Sequence, residues 1–171
     1  MIGRAQLGQV EHDEEFHEKI LGQHHADERM LRLVVDEIDN ACDAKDWEKC
    51  RAFFADEVTV DFTSLAGGEP ATIPADALVD AWRTNLYAEK KSYHQRGNHR
   101  FEIDGDRAVV FSKAYAFNLL ETGAVTGLWE VWGNYTHRLQ KIDGDWRCTG
   151  LILEVVHQRG DDRVRTYLPE S

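Results

Sequence analysis

The tetrapeptide Ile-Asp-Gly-Asp occurs twice in this 171-residue chain, at 103–106 and at 142–145. Each copy lies inside a long segment rich in β-branched and aromatic residues. These segments are FEIDGDRAVVFSKAYAFNLL and GLWEVWGNYTHRLQKIDGDWRCTGLILEVVHQ. An Asp-Gly pair between such segments is a strong hairpin signal, because these residues tolerate the backbone angles of a tight turn. The second part of the chain, from about Tyr93 onward, is therefore predicted to form long antiparallel strands.

A helical pattern occupies the first part of the chain. In residues 27–45 apolar side chains recur every three or four positions, the spacing that places them on one face of an α-helix. Asp27 is predicted to cap the start of this helix, and a short charged helix is predicted over 13–22. Asp46 is predicted to cap a further short helix with the sequence WEKCRAFFA.

The segment between these helices and the hairpins has mixed signals. A strand is predicted at 58–62 (VTVDF), a loop at 64–74 because of its Gly and Pro residues, and a helix at 75–89. Helices followed by long antiparallel strands are typical of an α+β domain, with the helices packed on one strongly curved sheet.

The net charge and the hydropathy of the chain exclude two classes of binding partner, nucleic acids and membranes. A net charge of -11 repels phosphate backbones, so no nucleic-acid binding is predicted. No apolar run approaches the roughly 18–20 residues of a membrane helix, and the N-terminus lacks the apolar core of a secretory signal, so a cytoplasmic protein without membrane contact is predicted. We predict one domain over 13–157, a flexible arm over 1–12 and a surface segment over 158–171.

The cysteines indicate packing rather than a disulfide. On one continuous helix Cys42 and Cys50 would be about 12 Å apart along the axis, whereas the Cα atoms of a disulfide lie within about 7 Å. Each is predicted to pack on the apolar side of its own helix, on either side of a joint. Neither the cysteines nor the histidines have the spacing of a metal site. The histidine-rich stretch with His12, His17, His24 and His25 resembles a metal site only in composition, so no metal is predicted.

Three aspartates recur on one side of the helix predicted over 27–45. Asp36, Asp39 and Asp43 are spaced at i, i+3 and i+7, with Asp43 opposite the apolar stripe. A solvated polar face explains this pattern without any chemistry. A functional role for Asp43 requires the last turn of the helix to face a cavity instead.

Four segments resemble, in this order, the SnoaL-like branch of the nuclear-transport-factor-2-like (cystatin-like) superfamily. They are CDAKDW at 42–47, the FFADEVTVDF that follows, YHQRGNHRFEIDGDRA at 93–108 and KIDGDWRCTGL at 141–151. The resemblance covers roughly 27–157 and implies a cone-shaped barrel whose helices close over a deep pocket. It also implies a homo-oligomer, a dimer or trimer, formed through the open face of the sheet with Phe111, Tyr115, Phe117 and Trp132.

Within that superfamily the chain is most similar to scytalone dehydratase and related Asp–His dehydratases and dehydrochlorinases. The resemblance implies catalysis by Asp43 and His94 without metal or organic cofactor. Such a pair suits proton transfer, because a histidine pKa of about 6.5 lies near working pH and a carboxylate fixes its tautomer. His99 is a rival for the base if a bulge at Gly97 resets the strand alternation.

The resemblance also implies substrate-binding positions. Asn118 corresponds to a histidine or aspartate of the relatives, while Tyr135 and Trp129 lie on one strand face that the resemblance turns inward. Cys42 and Phe62 occupy positions where the dehydratases carry tyrosines that bind the substrate carbonyl through water, so that device is missing. The pocket is therefore predicted to be more apolar than in the relatives.

The function predicted from these residues is a cofactor-independent lyase. It would remove water, hydrogen halide or a carbon fragment from a hydrophobic cyclic or aromatic small molecule, with His94 as base. Two alternatives to a lyase remain. One is an isomerase or cyclase that uses the same pair, and the other is a binding or assembly module without catalysis.

Overall fold

The computed structural model describes the backbone of residues 4–169 and the side chains of residues 18–169. Five helices and six strands occur in this part of the chain. In chain order they are α1 (Arg4–Ala44), α2 (Trp47–Ala52), β1 (Phe54–Asp61), α3 (Thr63–Ala66), β2 (Ala71–Pro74), α4 (Ala75–Asn85), β3 (Lys91–Asp104), β4 (Arg107–Leu120), β5 (Gly127–Ile142), β6 (Asp145–Gly160) and α5 (Asp162–Thr166).

One helix, α1, replaces the arm and the two helices predicted from the sequence. It runs unbroken from Arg4 to Ala44, so the predicted division near residues 23–26 is wrong, and residues 4–12 are helical; residues 1–3 lie outside the described part. Asp27 does not cap a helix. Its buried carboxylate accepts hydrogen bonds from Trp146 Nε1 and Lys141 Nζ, each at 2.9 Å, and so ties α1 to the second hairpin.

The joint after α1 is a Schellman motif, a chain reversal that ends a helix. Lys45 has a φ of 60°, its amide donates to Cys42 O, and the amide of Asp46 donates to Ala41 O. Asp46 then caps α2 by accepting a hydrogen bond from the amide of Lys49 at 3.1 Å, as the sequence predicts. The predicted joint, with each cysteine buried on its own helix, is confirmed. Because the chain turns here, the sulfurs of Cys42 and Cys50 lie 3.6 Å apart, and the separation calculated for a continuous helix does not apply.

The six strands form one curved sheet in the order β2-β1-β6-β5-β4-β3. The two Asp-Gly turns join β3 to β4 and β5 to β6 as antiparallel hairpins, as predicted. β1 pairs with β6 in parallel and with β2 antiparallel. The α+β prediction is confirmed, with a sheet that stays open at β2 and β3 rather than closing into a complete barrel.

Three boundaries differ from the sequence prediction. β1 begins at Phe54, inside the predicted helix WEKCRAFFA, because pairing of this segment with β6 supplies its backbone hydrogen bonds. The predicted loop at 64–74 contains β2 and part of α3. α4 ends at Asn85, four residues before its predicted end.

Two apolar clusters pack between the helices and the sheet. The larger joins α1, α2 and α4 to the strands and includes Leu31, Val35, Phe54 and Trp146. The smaller includes Trp129 and Val164 of α5, which is fully buried. The segment predicted to lie on the surface from residue 158 onward therefore contributes to the interior; residues 170 and 171 are not described.

Within residues 4–169, no helix has the combination of length and hydrophobicity needed to cross a membrane.

Candidate active site

A cavity of about 280 Å³ lies between the two apolar clusters, with the ends of α1 and α4 on one side and the inner face of the sheet on the other. Its walls are mainly apolar, which is typical of sites for small organic molecules. A few polar side chains face it from α1, β3, β4, β5 and α5. Those used below are Asp39, His94, Arg96, Asn118, Tyr135, His137 and Arg165.

Asp43 and His94 meet at the wall of this cavity. Asp43 Oδ1 lies 2.8 Å from His94 Nδ1, and Asp43 Oδ2 accepts a hydrogen bond from the backbone amide of His94 at 2.7 Å. Each side chain is 19% exposed. His94 lines the cavity, while Asp43 lies behind it at the end of α1.

The contact with Asp43 fixes which nitrogen of the His94 imidazole carries the proton. A carboxylate accepts, so Nδ1 carries the hydrogen and Nε2 keeps its lone pair. No hydrogen bond from residues 18–169 occupies Nε2. His94 lines the cavity, and its Nε2 is therefore a basic nitrogen with a free lone pair.

Burial and charge act in opposite directions on the two pKa values. Burial alone would lower the pKa of His94, but the Asp43 hydrogen bond and the charges of Asp39 and Asp43 outweigh it and hold the pKa above the ordinary value. Burial alone would raise the pKa of Asp43, but the bonds to His94 and Ser92 hold it below the ordinary value. Ser92 Oγ in turn accepts a hydrogen bond from Lys45 Nζ at 3.0 Å.

The aspartates of α1 form a row of pairs with β3 rather than a solvated face. Asp39 binds Arg96 through two hydrogen bonds of 2.8 and 3.0 Å, and the Arg96 side chain is only 3% exposed. One helical turn further back, Asp36 Oδ1 lies 2.9 Å from His99 Nε2. The interpretation of this pattern as a purely solvated face is therefore wrong.

His99 is on the same side of β3 as His94 because of a bulge. The pairing of β3 with β4 shifts register between Gly97 and Arg100, and Asn98 has a φ of 55°. Both ring nitrogens of His99 are engaged, since Arg32 lies 2.8 Å from Nδ1 and Asp36 binds Nε2. His99 does not line the cavity, whereas His94 does.

The structure brings the other predicted site residues to the same cavity. Cys42 and Phe62 line it from the helical side, and Trp129, Asn118 and Tyr135 line it from the sheet. The Nδ2 group of Asn118 donates to the carbonyl oxygen of Phe117 at 3.2 Å, which leaves its side-chain oxygen available. Burial raises the pKa of Tyr135 to about 12, so its hydroxyl remains a proton donor at neutral pH.

Arg96 connects the row of aspartates to the cavity. Its guanidinium lies 4.3 Å from the centre of the Tyr135 ring and also donates to Ser112 Oγ at 3.0 Å. Arg96 is not among the residues predicted from the sequence, because an arginine on a strand is ordinarily a surface residue. Its i+2 relation to His94 on one strand face was the available signal.

Two further lining residues were also not identified. His137 is fully buried, and Arg165 reaches the cavity from α5 with its guanidinium 5.7 Å from the centre of the Trp129 ring. His137 is in step with Trp129 and Tyr135 along β5, so the strand alternation was the signal for it. Arg165 gave no such signal, because nothing local places the C-terminal segment.

Helices packed on an open, mainly antiparallel sheet place the chain in the α+β class, with a cystatin-like fold. The chain belongs to the SnoaL-like domain family, whose model matches residues 23–151. No curated protein sequence gives a significant match.

Solved structures share this fold at low sequence identity. The Kfla4162 protein from Kribbella flavida is 23% identical, with a TM-score of 0.78 over 84% of this chain and 99% of its own. A protein described provisionally as a scytalone dehydratase, from Novosphingobium aromaticivorans, is 17% identical with a TM-score of 0.69, over 81% and 90% of the two chains. Hexachlorocyclohexane dehydrochlorinase LinA-type3 from Novosphingobium barchaimii is 13% identical with a TM-score of 0.68, over 86% and 97%.

Proposed function

We propose that this protein is a cofactor-independent lyase that uses His94 to remove a proton from a hydrophobic cyclic or aromatic small molecule. The observation that carries the proposal is the Asp43–His94 pair at the wall of an apolar cavity, with Nε2 free of partners among residues 18–169. The names of two structurally similar proteins, a dehydratase and a dehydrochlorinase, support elimination chemistry.

Other cavity residues are poor candidates for the base. Both oxygens of Asp39 are held by Arg96. The pKa of Tyr135 is raised to about 12 by burial, so its hydroxyl does not ionise at neutral pH. Burial lowers the pKa of His137 well below the ordinary value, so this imidazole is too weak a base to compete with His94.

The chemistry follows from the tautomer. His94 Nε2 accepts a proton from carbon, and Asp43 stabilises the imidazolium that forms at Nδ1. Tyr135 and Asn118 bind an oxygen of the substrate, and Trp129 packs against its ring. The same His94 then returns the proton to the leaving group, or to another carbon if the reaction is an isomerisation.

Exchange of carbon-bound hydrogen in deuterium oxide tests the proposal without knowledge of the natural substrate. A panel of cyclic ketones, β-hydroxy ketones and chlorinated cyclohexanes is incubated with the protein, and deuterium uptake and product mass are measured by mass spectrometry. We expect uptake or elimination with at least one class, and loss of that activity by about 10² to 10⁴ in the His94→Gln variant. A product that differs from the substrate in mass only by exchanged deuterium would indicate an isomerase rather than a lyase.

His99→Gln is the matched control. It removes the other histidine of β3, which does not line the cavity. We expect it to retain most of the activity of the wild type. Equal activity of the wild type and His94→Gln, or a greater loss in His99→Gln, would refute the assignment of the base.

A further inference from the structure

His137 is an unsatisfied polar group in the interior of the protein. Its residue exposure is zero, and neither Nδ1 nor Nε2 has a hydrogen-bond partner among the described residues. A buried donor without a partner is costly, and almost all such groups in folded proteins are paired. An apolar side chain of similar size at this position would avoid that cost.

The surroundings of His137 offer it no partner of their own. Across the sheet it pairs with Val110 of β4 and Leu151 of β6. Its ring stacks on that of Tyr135, with the centroids 6.0 Å apart and the planes inclined by 21°. The Arg96 guanidinium also lies over the Tyr135 ring, but it is a donor only and is already bound to Asp39 and Ser112.

His137 is also a wall of the cavity described above. His137 lines the cavity together with Tyr135, Leu151 and Leu153. It lies six residues along β5 from Val131. Val131 pairs with Ala116 of β4, which in turn pairs with His94 of β3. At about 3.3 Å per residue that separation is at most roughly 20 Å along the strand. Among the residues of β5 that line the cavity, His137 is the last in the direction away from Trp129, so it lies at one end of the lining.

We propose that His137 is a substrate-positioning residue, whose imidazole forms a hydrogen bond with a hydroxyl or carbonyl group at the far end of the substrate. This inference rests on the proposed function and narrows its substrate class to a cyclic compound that carries an oxygen function remote from the proton removed by His94. A chlorinated hydrocarbon without oxygen leaves His137 unpaired and is a poorer ligand.

The charge state of His137 sets the kind of group it accepts. Burial lowers its pKa well below the ordinary value, and the charges of Arg96 and His99 act in the same direction. A neutral imidazole offers one donor and one acceptor, so it can bind a neutral hydroxyl or carbonyl group in this apolar surrounding. Neither nitrogen is solvent-accessible in the structure, so the proposed hydrogen bond requires the imidazole to turn toward the cavity.

A pair of probes of the same shape tests the inference. 2-Naphthol and 2-methylnaphthalene differ in a hydroxyl and a methyl group, and their binding to the full-length protein is measured by titration. The ring nitrogens of His137 are followed by ¹⁵N NMR. We expect 2-naphthol to bind about tenfold more tightly and to shift the His137 nitrogen signals, whereas 2-methylnaphthalene leaves them unchanged.

The His137→Leu variant should abolish the preference for 2-naphthol while it binds 2-methylnaphthalene at least as well as the wild type does. His157→Leu is the matched control, since it makes the same substitution at an exposed histidine that does not line the cavity, and it should retain the preference and the shift. If His137→Leu does not fold, His137→Gln keeps a donor and an acceptor and should retain part of the preference. The NMR measurement on the wild type needs no variant.

The inference is overturned if the preference survives in His137→Leu, if 2-naphthol leaves the His137 signals unchanged, as a buried water partner would predict, or if neither probe binds. Hydrogen exchange catalysed by His94 does not require His137. A negative result here, together with active exchange, refutes the role of His137 alone, and the reverse result refutes the base.

Discussion

Both oxygens of Asp43 bind the same residue, one at 2.8 Å from Nδ1 of His94 and the other at 2.7 Å from its backbone nitrogen. The backbone bond fixes the end of α1 against β3, and the side-chain bond fixes the plane and tautomer of the imidazole. A single aspartate therefore links the stability of the helix–sheet contact to the orientation of the proposed base.

Replacement of Asp43 by Asn should reduce the rate of exchange or elimination by a factor of about 10² to 10⁴. The amide is nearly the same size, but it neither stabilises the imidazolium nor enforces protonation at Nδ1. The rate is measured on whichever compound of the panel reacts with the wild type.

Asp36→Asn is the matched control for this substitution. Asp36 is another aspartate of α1 that binds a histidine of β3, but neither it nor His99 lines the cavity. Its rate should stay within a few-fold of the wild type. Comparable losses in both variants would show that Asp43 acts through the fold and not through His94.

The pH profile should have an ascending limb whose midpoint lies above the ordinary histidine value of about 6.5. His94 accepts a proton only when it is neutral, and Asp43 raises the pKa of His94 against the effect of burial. In Asp43→Asn the limb should move to lower pH, because the remaining effect of burial lowers the pKa. An ascending limb unchanged in that variant would contradict the assignment.

Stability should follow a different pH dependence from activity. Because the pKa of His94 is raised on folding, its contribution is full below about 6.5 and is lost as pH rises through the folded value. Because the pKa of Asp43 is lowered, its contribution is full above about 3.9 and is lost as pH falls through the folded value. The difference in free energy of unfolding between the wild type and Asp43→Asn should therefore be largest between these limits. Urea denaturation at a series of pH values measures it.

The Arg96–Asp39 pair should be important for stability. Arg96→Met or Asp39→Leu alone leaves a buried charge without its partner and should cost about 3–5 kcal/mol in free energy of unfolding. The double variant should cost much less than the sum, because neither charge is then left unpaired. A double-mutant cycle by chemical denaturation measures this coupling, and strictly additive losses would show that the two charges do not depend on each other.

The three cysteines should be unreactive in the native protein. The contact with Cys50, together with burial, raises the pKa of the Cys42 thiol, and burial raises the pKa of Cys148 to about 12. All three are buried as free thiols. A chromogenic disulfide reagent should titrate three thiols in urea and none within minutes in native buffer. Rapid reaction of one native thiol would show that the cavity exposes Cys42 to reagents.

Local chemistry in the sequence was sufficient to predict the two hairpins and the cap of α2. An Asp-Gly turn and an N-capping aspartate act within a few residues, so their effect can be predicted without the rest of the chain. The same holds for the apolar stripe of α1, whose period is a property of the helix itself. The breaks predicted within α1 were wrong because Asp27, although a good capping residue, is engaged by Trp146 and Lys141 from the second hairpin.

The tertiary structure alone decided what the polar residues of α1 contact. Asp43 and His94 are 51 positions apart, and only the packing of α1 against β3 turns Asp36, Asp39 and Asp43 into partners of His99, Arg96 and His94. The same sequence spacing is equally compatible with a solvated helix face. The isolation of His137 is decided in the same way, because the absence of a partner depends on every side chain that surrounds it and on no feature of its own strand.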